Sequence, residues 1–485
     1  MRNSDQELSY FFLNLKKIIT YHNDYVLTYQ KTPRLYLISK KIYDEFKNKS
    51  KIINHIKNDY LNLKRWSYLP NSDRIQDYND KRFVLSLRVS EECNLSCRYC
   101  YNKRNMLNKD GVKYMSKKIA KKSLDFFISH FNQKHMSIIF SGGEPLLNFS
   151  TVKYVLNYLK NTYKDREFEF KLSTNGTILN KEIINEIIKN DIKVTVSIDF
   201  PILQHNFNRP FKNGNPSFEI IRSNLMLLLK HISPQNITLR TVISSNGKFT
   251  PEEIIYNFYK LNLPTDNLYI QTEFGKGISF YKKNIINRQK KALIEKHRKY
   301  LLDCKNNSKL YKREIFGNIL YTIITGRDSV DECPAVKNGF TINPKGEIYL
   351  CDISVNKEKF YLGNIKNGFD NTRLKIIKEI YLKYYNECLS CWAFSFCSKF
   401  CPLIRPNKDI FFKNCAINKK EFIDEIRFFL NLNYNQIKKI ILSAINFTKD
   451  KDIISRNRDI DLYIEIYKFL NRNNKYIKPI NIFPV

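Results

Sequence analysis

Cys93, Cys97 and Cys100 lie in the run Ser90-Glu91-Glu92-Cys93-Asn94-Leu95-Ser96-Cys97-Arg98-Tyr99-Cys100, directly after the apolar, strand-like stretch Phe83–Val89. Three thiolates at a Cys-x3-Cys-x2-Cys spacing can hold three corners of a cubane iron–sulfur cluster and leave the fourth iron open to a ligand from outside the protein. An open iron is a position for chemistry. A structural zinc knot is the alternative, but it asks for four ligands, commonly paired Cys-x2-Cys or Cys/His knuckles. Here the next histidine downstream is His130, and Cys-x3-Cys is not a usual zinc spacing.

Two further groups carry chemistry. Phe140-Ser141-Gly142-Gly143-Glu144-Pro145 sets two glycines at the end of a strand-like run, where backbone can approach a ligand closely. Glu144 beside them offers a carboxylate to a cation such as an α-amino group. Alone the run reads as a turn; downstream of the cysteine triplet it reads as a ligand loop. Further on come Cys333, Gly346 and Cys351, then Cys388-x2-Cys391-x5-Cys397-x3-Cys401, and Cys415.

These residues need elements to hold them. Short β-rich runs at Phe83–Val89, Met136–Phe140, Glu167–Leu172, Lys193–Ile198, Asn236–Ile243 and Asn267–Thr272 alternate with helical patterns. Ala120, Leu124, Phe127 and Phe131 form one helical stripe, and Val152–Lys160, Lys181–Lys189, Phe218–Lys230 and Pro251–Leu261 read as further helices. Six β-α units in series predict a parallel sheet with right-handed crossovers, and in such folds chemistry sits at the carboxyl ends of the strands. The triplet, Gly142-Gly143 and Asp199 all fall at or just past an expected strand end. Residues 1–80 read as a small α+β module with strands at Tyr25–Tyr29 and Arg34–Ile38, then helical patterning from Lys40 to Leu63. The chain divides into that module, a core over 81–305, a cysteine-rich region over 306–420 and a helical tail over 421–485.

Composition bounds the function. A chain of 485 residues has room for two or three domains. It has no run of eighteen apolar residues and no charged-then-apolar leader at Met1, so a soluble, cytoplasmic protein with no membrane partner is expected. Eleven cysteines in clusters, without a secretory signal, point to metal rather than disulfides. The net charge of +35 comes from lysine spread along the whole chain beside abundant Asn and Ile, which reads as a solvated lysine surface rather than a nucleic-acid face. An acidic peptide would still be steered towards it, and salt would oppose the steering.

With Tyr99 at the aromatic position of Cys-x3-Cys-x-aromatic-Cys, followed by Gly142-Gly143-Glu144-Pro145, the chain resembles the radical S-adenosylmethionine (SAM) enzymes. The resemblance implies a partial (β/α)6 TIM-like barrel, α/β in class, whose open iron chelates the amino and carboxylate groups of SAM. It also implies that one electron cleaves the sulfonium and that a 5′-deoxyadenosyl radical then removes a hydrogen atom from the substrate. Gly142, Gly143 and Glu144 would hold the methionine amino group, and Tyr99 would lie near the adenine. Ser173 and Asn175 of Ser173-Thr174-Asn175-Gly176, with Ser197 and Asp199, would be further cofactor contacts, and Arg209 would meet the carboxylate. Asn175-Gly176 is also a generic turn, and Asp199 a possible helix cap.

The later cysteines are similar to the seven-cysteine SPASM extension, which carries two auxiliary 4Fe-4S clusters and so brings the implied total to three. By that resemblance Cys388, Cys391, Cys397 and Cys415 close one auxiliary cluster, and Cys333, Cys351 and Cys401 hold the other. Seven thiolates for eight irons leave one iron for a substrate thiolate, with Cys304 the spare thiol. Asp352, next to Cys351, matches an aspartate that sulfatase maturases use as a proton acceptor; orienting the cluster loop is its other reading.

The expected function is therefore a peptide maturase acting on a ribosomally made precursor peptide, with thioether formation the preferred product. Its partners would be that peptide, gripped by the amino-terminal module, and a reducing donor such as a flavodoxin or ferredoxin. A sulfatase maturase making formylglycine from Cys or Ser is the second reading. A non-catalytic metal-stabilised binding protein is the third, and it leaves the Gly-Gly-Glu-Pro run idle.

Overall fold

A computed structural model of the chain describes residues 15–21, 24–29, 35–39, 83–100, 102, 111–233, 236–243, 268–272, 291–292, 294–295, 298–299, 335, 339–382, 384, 387–388, 391–393, 397, 407–430, 436 and 477–479. They fall into two compact units, Asp80–Leu301 with Cys333–Tyr381, and Met1–Asn79 with Leu302–Glu332 and Leu382–Val485. The helices expected at Lys40–Leu63 and Pro251–Leu261 lie outside the described residues, as do Cys304, Cys333 and Cys401.

In the second of these units β1 (Leu15–Tyr21), β2 (Asp24–Tyr29) and β3 (Leu35–Ser39) form an antiparallel meander. The strands read at Tyr25–Tyr29 and Arg34–Ile38 are β2 and β3, and β1 adds a strand that the sequence pattern did not announce.

The barrel unit runs β4 (Phe83–Ser90), α1 (Lys117–Phe131), β5 (His135–Gly142), α2 (Phe149–Thr162), β6 (Glu167–Thr174), α3 (Lys181–Lys189), β7 (Lys193–Ser197), α4 (Ile202–Asn208), α5 (Phe218–His231), β8 (Ile237–Ile243) and β9 (Leu268–Thr272). All six strands pair in parallel with their sequence neighbours, as the alternating pattern predicts. Local chemistry sets the helix ends. Ser116 accepts from the Ile119 amide to start α1, and Asn132 stops it at φ 39°. Asn180 starts α3 in the same way, through Ile183.

The sheet then grows backwards from β4. β10 (Gly339–Ile342) pairs with it in parallel, and β11 (Glu347–Tyr349), β12 (Tyr361–Asn364) and β13 (Gly368–Phe369) follow antiparallel before α6 (Asn371–Leu382). The order β13-β12-β11-β10-β4-β5-β6-β7-β8-β9 makes ten strands. An aromatic cluster welds the addition on: Phe340 lies 5.5 Å from Phe127 and 5.4 Å from Phe131, and 5.0 Å from Phe369. Phe83 and Phe127 are wholly buried, each contributing roughly 1.5–3 kcal/mol. In the other unit α7 (Lys408–Leu430) carries Cys415, and β14 (Ile477–Pro479) pairs antiparallel with β3.

The two faces of the barrel strands differ, and that difference makes the site. Phe83, Leu85, Leu87 and Val89 of β4 are buried, with Phe83 against α1. The alternate residues are polar: Ser86, Arg88 and Ser90 on β4, Ser141 on β5, Ser173 on β6, and Thr195 and Ser197 on β7. Period-two alternation thus points a polar set into the barrel and an apolar set at the helices.

Candidate active site

The triplet loop leaves β4 at Ser90 and is clamped from two sides by backbone. On one side the amides of Gly143 and Glu144 donate to the carbonyls of Ser90 and Glu92, each at 2.8 Å. On the other, the Ser96 and Arg98 amides donate to Pro210 and Asn208 at 2.8 Å, and the Lys212 amide to Asn94 at 3.0 Å. A Cβ built on Gly142 would stand 2.0 Å from the Ser90 carbonyl oxygen, and one on Gly143 would stand 2.3 Å from that of Glu92. Gly142 also has φ +138°. The glycines are thus required for the close approach of the two loops.

Burial pushes the Cys93 thiol up to about 12 and the Cys97 thiol up to about 11, the latter opposed by the Arg209 cation. A thiol so disfavoured as a bare anion ionises when it binds metal. The loop also offers donors to sulfur: the Leu95 amide at 3.4 Å and Asn175 Nδ2 at 3.6 Å from Cys93 Sγ. Three thiols on one clamped turn, with such donors, fit three corners of an iron–sulfur cluster.

Glu144 is wholly buried. Its Oε1 accepts from Thr174 Oγ1 at 2.8 Å and from the Leu146 amide at 3.1 Å, and its Oε2 accepts from the Asn175 amide at 2.7 Å. Burial lifts its pKa to about 7 against those three donors. The carboxylate therefore ties the end of β5 to the end of β6, and Asn175 Nδ2 also donates to Asn94 Oδ1 at 2.8 Å. Ser173 and Ser197 stand half-buried near the carboxyl ends of β6 and β7.

Tyr99, Asp199 and Arg209 come together. Asp199 accepts from Arg209 Nε at 3.0 Å, from Arg209 Nη2 at 3.3 Å, from the Val242 amide at 2.8 Å and from the Tyr99 hydroxyl. The Arg209 guanidinium lies 5.1 Å from the Tyr99 ring centre. His205, absent from the sequence reading, orients this group. Its Nδ1 accepts from the Asp199 amide and its Nε2 meets Ser217 Oγ, both at 3.0 Å; Ser217 donates to the Arg209 carbonyl at 2.6 Å.

Burial, abetted by the Arg209 cation, lowers the His205 pKa to about 4. The unfolded chain, titrating near 6.5, then binds more protons than the native protein between those values. The His205 contribution to stability is complete above pH ~6.5 and falls as pH drops towards 4, by on the order of 3 kcal/mol. Glu144, held up to about 7 by burial, contributes a slope of the opposite sign over the same range. The His205 contribution is therefore read as the difference between wild type and His205→Gln in urea unfolding between pH 4 and 7.

A second polar group missed from sequence joins distant segments. Arg88, 0 % exposed, donates through Nε to Glu91 Oε1 at 2.8 Å. Its Nη1 lies 3.2 Å from both Asn102 Oδ1 and Asp352 Oδ1. Asp352 Oδ1 also accepts from Ser141 Oγ at 2.8 Å, and Asn102 Nδ2 donates to the Gly142 carbonyl at 3.1 Å. Asp352 opens a short 3-10 turn after Cys351, whose amide donates to Ser354 Oγ at 2.9 Å.

In the other unit Cys388, Cys391, Cys397 and Cys415 line one cavity of about 70 Å³ with Phe411 and Phe422. Residues 411, 415, 418 and 422 share one face of α7, which explains how Cys415 joins thiols more than fifteen residues upstream. Burial, with Cys397 and Cys391 nearby, pushes the Cys415 thiol up to about 11. Among the described residues no three His, Cys, Asp or Glu side chains stand close enough to hold a single metal ion. In a 4Fe-4S cluster each thiolate binds its own iron, and the four thiols around this cavity match that number.

A barrel of this topology, with a clamped cysteine triplet at the carboxyl end of its first strand, defines a class. Residues 87–253 match the family model of the radical SAM superfamily. The chain is 26% identical over 424 residues to the radical SAM cyclopropyl synthase TigE of Paramaledivibacter caminithermalis, covering 78% of this chain and 82% of that protein. It is 27% identical over 344 residues to a cysteine-type anaerobic sulfatase-maturating enzyme of Clostridium perfringens (66% and 89%). An uncharacterised protein of Methanocaldococcus jannaschii is 36% identical over 172 residues, 35% of this chain, and the match spans 56% of its own length. The fold resembles native anSMEcpe with bound AdoMet and Kp18Cys peptide, with TM-score 0.59 and 21% identity over 72% of this chain and all of that one.

Residues 87–253 form a radical SAM domain and the chain is a radical SAM enzyme, a class whose cofactors are a 4Fe-4S cluster and SAM. Among the described residues no helix is long and apolar enough to cross a membrane.

Proposed function

We propose that this enzyme matures a ribosomally made precursor peptide. The observation that carries the reading is the meeting, at the carboxyl end of one barrel, of the triplet loop, the glycine loop and the Cys351-Asp352 turn. A maturase needs its radical source and its electron and proton acceptors around one substrate atom.

When bound, SAM and its cluster supply a 5′-deoxyadenosyl radical, which takes a hydrogen atom from the substrate. Cys93, Cys97 and Cys100 would hold that cluster. The Glu144 carboxylate serves Thr174, Leu146 and Asn175 and, with about four acceptor sites, would keep one for the methionine amino group beside the backbone carbonyls of the glycine loop. Arg209 would meet the carboxylate of SAM while Asp199, oriented by His205, keeps the guanidinium in place. Tyr99, hydrogen-bonded to Asp199, would flank the adenine, and Ser173 and Ser197 face the same barrel interior. Asp352 would take the proton that the substrate sheds as its electron leaves.

Cys388, Cys391, Cys397 and Cys415 would hold one auxiliary cluster. Cys351, with Cys333 and Cys401, would hold the other; with seven thiolates for eight irons it would leave room for a substrate thiol, which favours a thioether product. Among the described residues β1 has β2 as its one sheet neighbour, and its outer edge suits addition of a leader peptide as a further strand. The electron would come from a flavodoxin or ferredoxin.

The second reading is a sulfatase maturase, favoured by the relatives of that name. One anaerobic experiment separates them. The reconstituted enzyme, SAM and dithionite are incubated with the peptide encoded beside its gene, or with a sulfatase-derived Cys or Ser peptide. The expected result is 5′-deoxyadenosine and loss of a hydrogen pair from the first peptide, with its cysteine no longer alkylated. Formylglycine in the second peptide would favour the alternative, and neither product would defeat both.

A further inference from the structure

Arg88 does something that neither the cysteine motif nor the cofactor contacts require. It sits wholly buried on the inner face of β4, yet every partner of its guanidinium named above belongs to a cluster loop. Glu91 and Asn102 flank the triplet two residues before Cys93 and two after Cys100. Asp352 follows Cys351. Ser141 and Gly142 join the same network from the glycine loop, through Ser141 Oγ to Asp352 and Asn102 Nδ2 to the Gly142 carbonyl. One cation thus spans segments 264 residues apart, in a setting where water does not screen it.

We propose that Arg88 is the shared counter-charge of two cluster loops, holding up the reduction potential of both the cluster at Cys93, Cys97 and Cys100 and the auxiliary cluster that includes Cys351. The physical ground is electrostatic. Cluster potentials follow the net charge and hydrogen bonding around the sulfurs. Reduction adds negative charge, so a fixed buried cation beside the loop stabilises the reduced form. A buried carboxylate does the opposite. Arg88 faces Glu91 and Asp352 from its two sides, so the balance among these three groups sets the field on both loops. Ser141 and Asn102 add hydrogen bonds that hold the balance in one geometry.

The inference rests on the radical maturase reading, and its test has a readout other than product. The full-length, iron-loaded protein is poised anaerobically at a series of potentials and followed by electron paramagnetic resonance. The triplet's cluster is identified as the signal that changes on adding SAM. The auxiliary signals are read in a Cys93→Ala/Cys97→Ala/Cys100→Ala background, where the cluster that includes Cys351 is assigned as the signal that survives Cys388→Ala/Cys391→Ala. Arg88→Met should move both potentials negative by at least a tenfold change in the reduced-to-oxidised ratio, which is 59 mV for one electron. Asp352→Asn should move the auxiliary potential positive, and the double variant should return towards wild type because the lost charges cancel. Arg88→Lys, which keeps the charge, should stay within a threefold change in that ratio.

Should Arg88→Met fail to load iron, Arg88→Gln replaces it, and the positive shift in Asp352→Asn tests the same balance from the other side. A negative shift confined to one cluster overturns the shared role. So do unchanged potentials, or equal shifts in Arg88→Lys and Arg88→Met, since a merely structural role would not distinguish charge from shape. If wild-type protein binds no cluster at the triplet, it is the functional reading that fails instead.

Discussion

Replacing Cys93, Cys97 and Cys100 together by alanine abolishes 5′-deoxyadenosine formation while leaving the barrel folded. The size of the loss follows from the chemistry. No side chain in the site can deliver one electron to a sulfonium, so without its cluster the protein keeps binding groups and no means of cleavage. Enzymatic rate enhancements reach about 10⁶-fold or more, and the expected fall is therefore at least ~10⁴-fold, to the detection limit. Stability should change far less. The loop is clamped by backbone hydrogen bonds from 143–144 and 208–212 that alanine retains, and each lost sulfur is about one methylene in burial terms, roughly 0.8 kcal/mol. Circular dichroism checks the fold. Iron analysis checks the cluster count, because the thiols of Cys388, Cys391, Cys397 and Cys415 remain. A variant that still makes 5′-deoxyadenosine at a tenth of the wild-type rate would remove the triplet from the mechanism.

Gly142→Ala is expected to cost nearly as much in function through geometry alone. The new methyl would stand 2.0 Å from the Ser90 carbonyl oxygen at a backbone φ of +138°. The neighbour is main chain of the strand that delivers the triplet, so it cannot rotate away as a flexible side chain could. A strained φ costs of order 1–3 kcal/mol, and relieving the clash also stretches the 2.8 Å bond from the Gly143 amide to Ser90. If about 2.7 kcal/mol of this appears as misplacement of the loop against SAM, 5′-deoxyadenosine formation falls ~100-fold. The cluster itself should still assemble. The check is SAM affinity, read from the change that SAM causes in the cluster spectrum, beside the rate. Gly214→Ala is the control: φ is +86° there, but nothing lies within 4 Å of the added methyl. It should pay the local strain and keep SAM affinity. Equal effects at the two positions would show that the close approach of the loops is not what Gly142 provides.

The second, polar group at Arg88 marks where sequence reading stopped. Arg88 lies within Phe83–Val89, a run that reads as an apolar strand, and the period-two alternation of Ser86, Arg88 and Ser90 could have flagged a polar inner face. Nothing local, however, announces that its partner is Asp352. His205 was invisible for a different reason: a lone histidine in a short helix is most often an ordinary core residue, and only its hydrogen bond to the Asp199 amide gives it a task. The type and position of Glu144 beside Gly142-Gly143 point to a ligand for SAM. Three protein donors to its carboxylate show that it also braces β5 against β6, a role that depends on where Thr174 and Asn175 arrive.

The chain order of elements and the cysteine spacings were determined by the amino-acid sequence itself. Strand and helix patterns have short periods, so the six parallel strands of the barrel could be read from local alternation. A triplet on one loop needs no tertiary partner to declare its spacing. Tertiary structure alone decided what meets at the mouth of the barrel. Strands β10 to β13 could have packed as a separate domain, yet β10 pairs with β4, and the Phe340 cluster with Phe127 and Phe131 holds it there. That pairing carries Asp352 to Arg88. The physical reason is range: hydrogen bonding and burial reward contacts in space whatever their separation along the chain, whereas periodicity and spacing report only on neighbours.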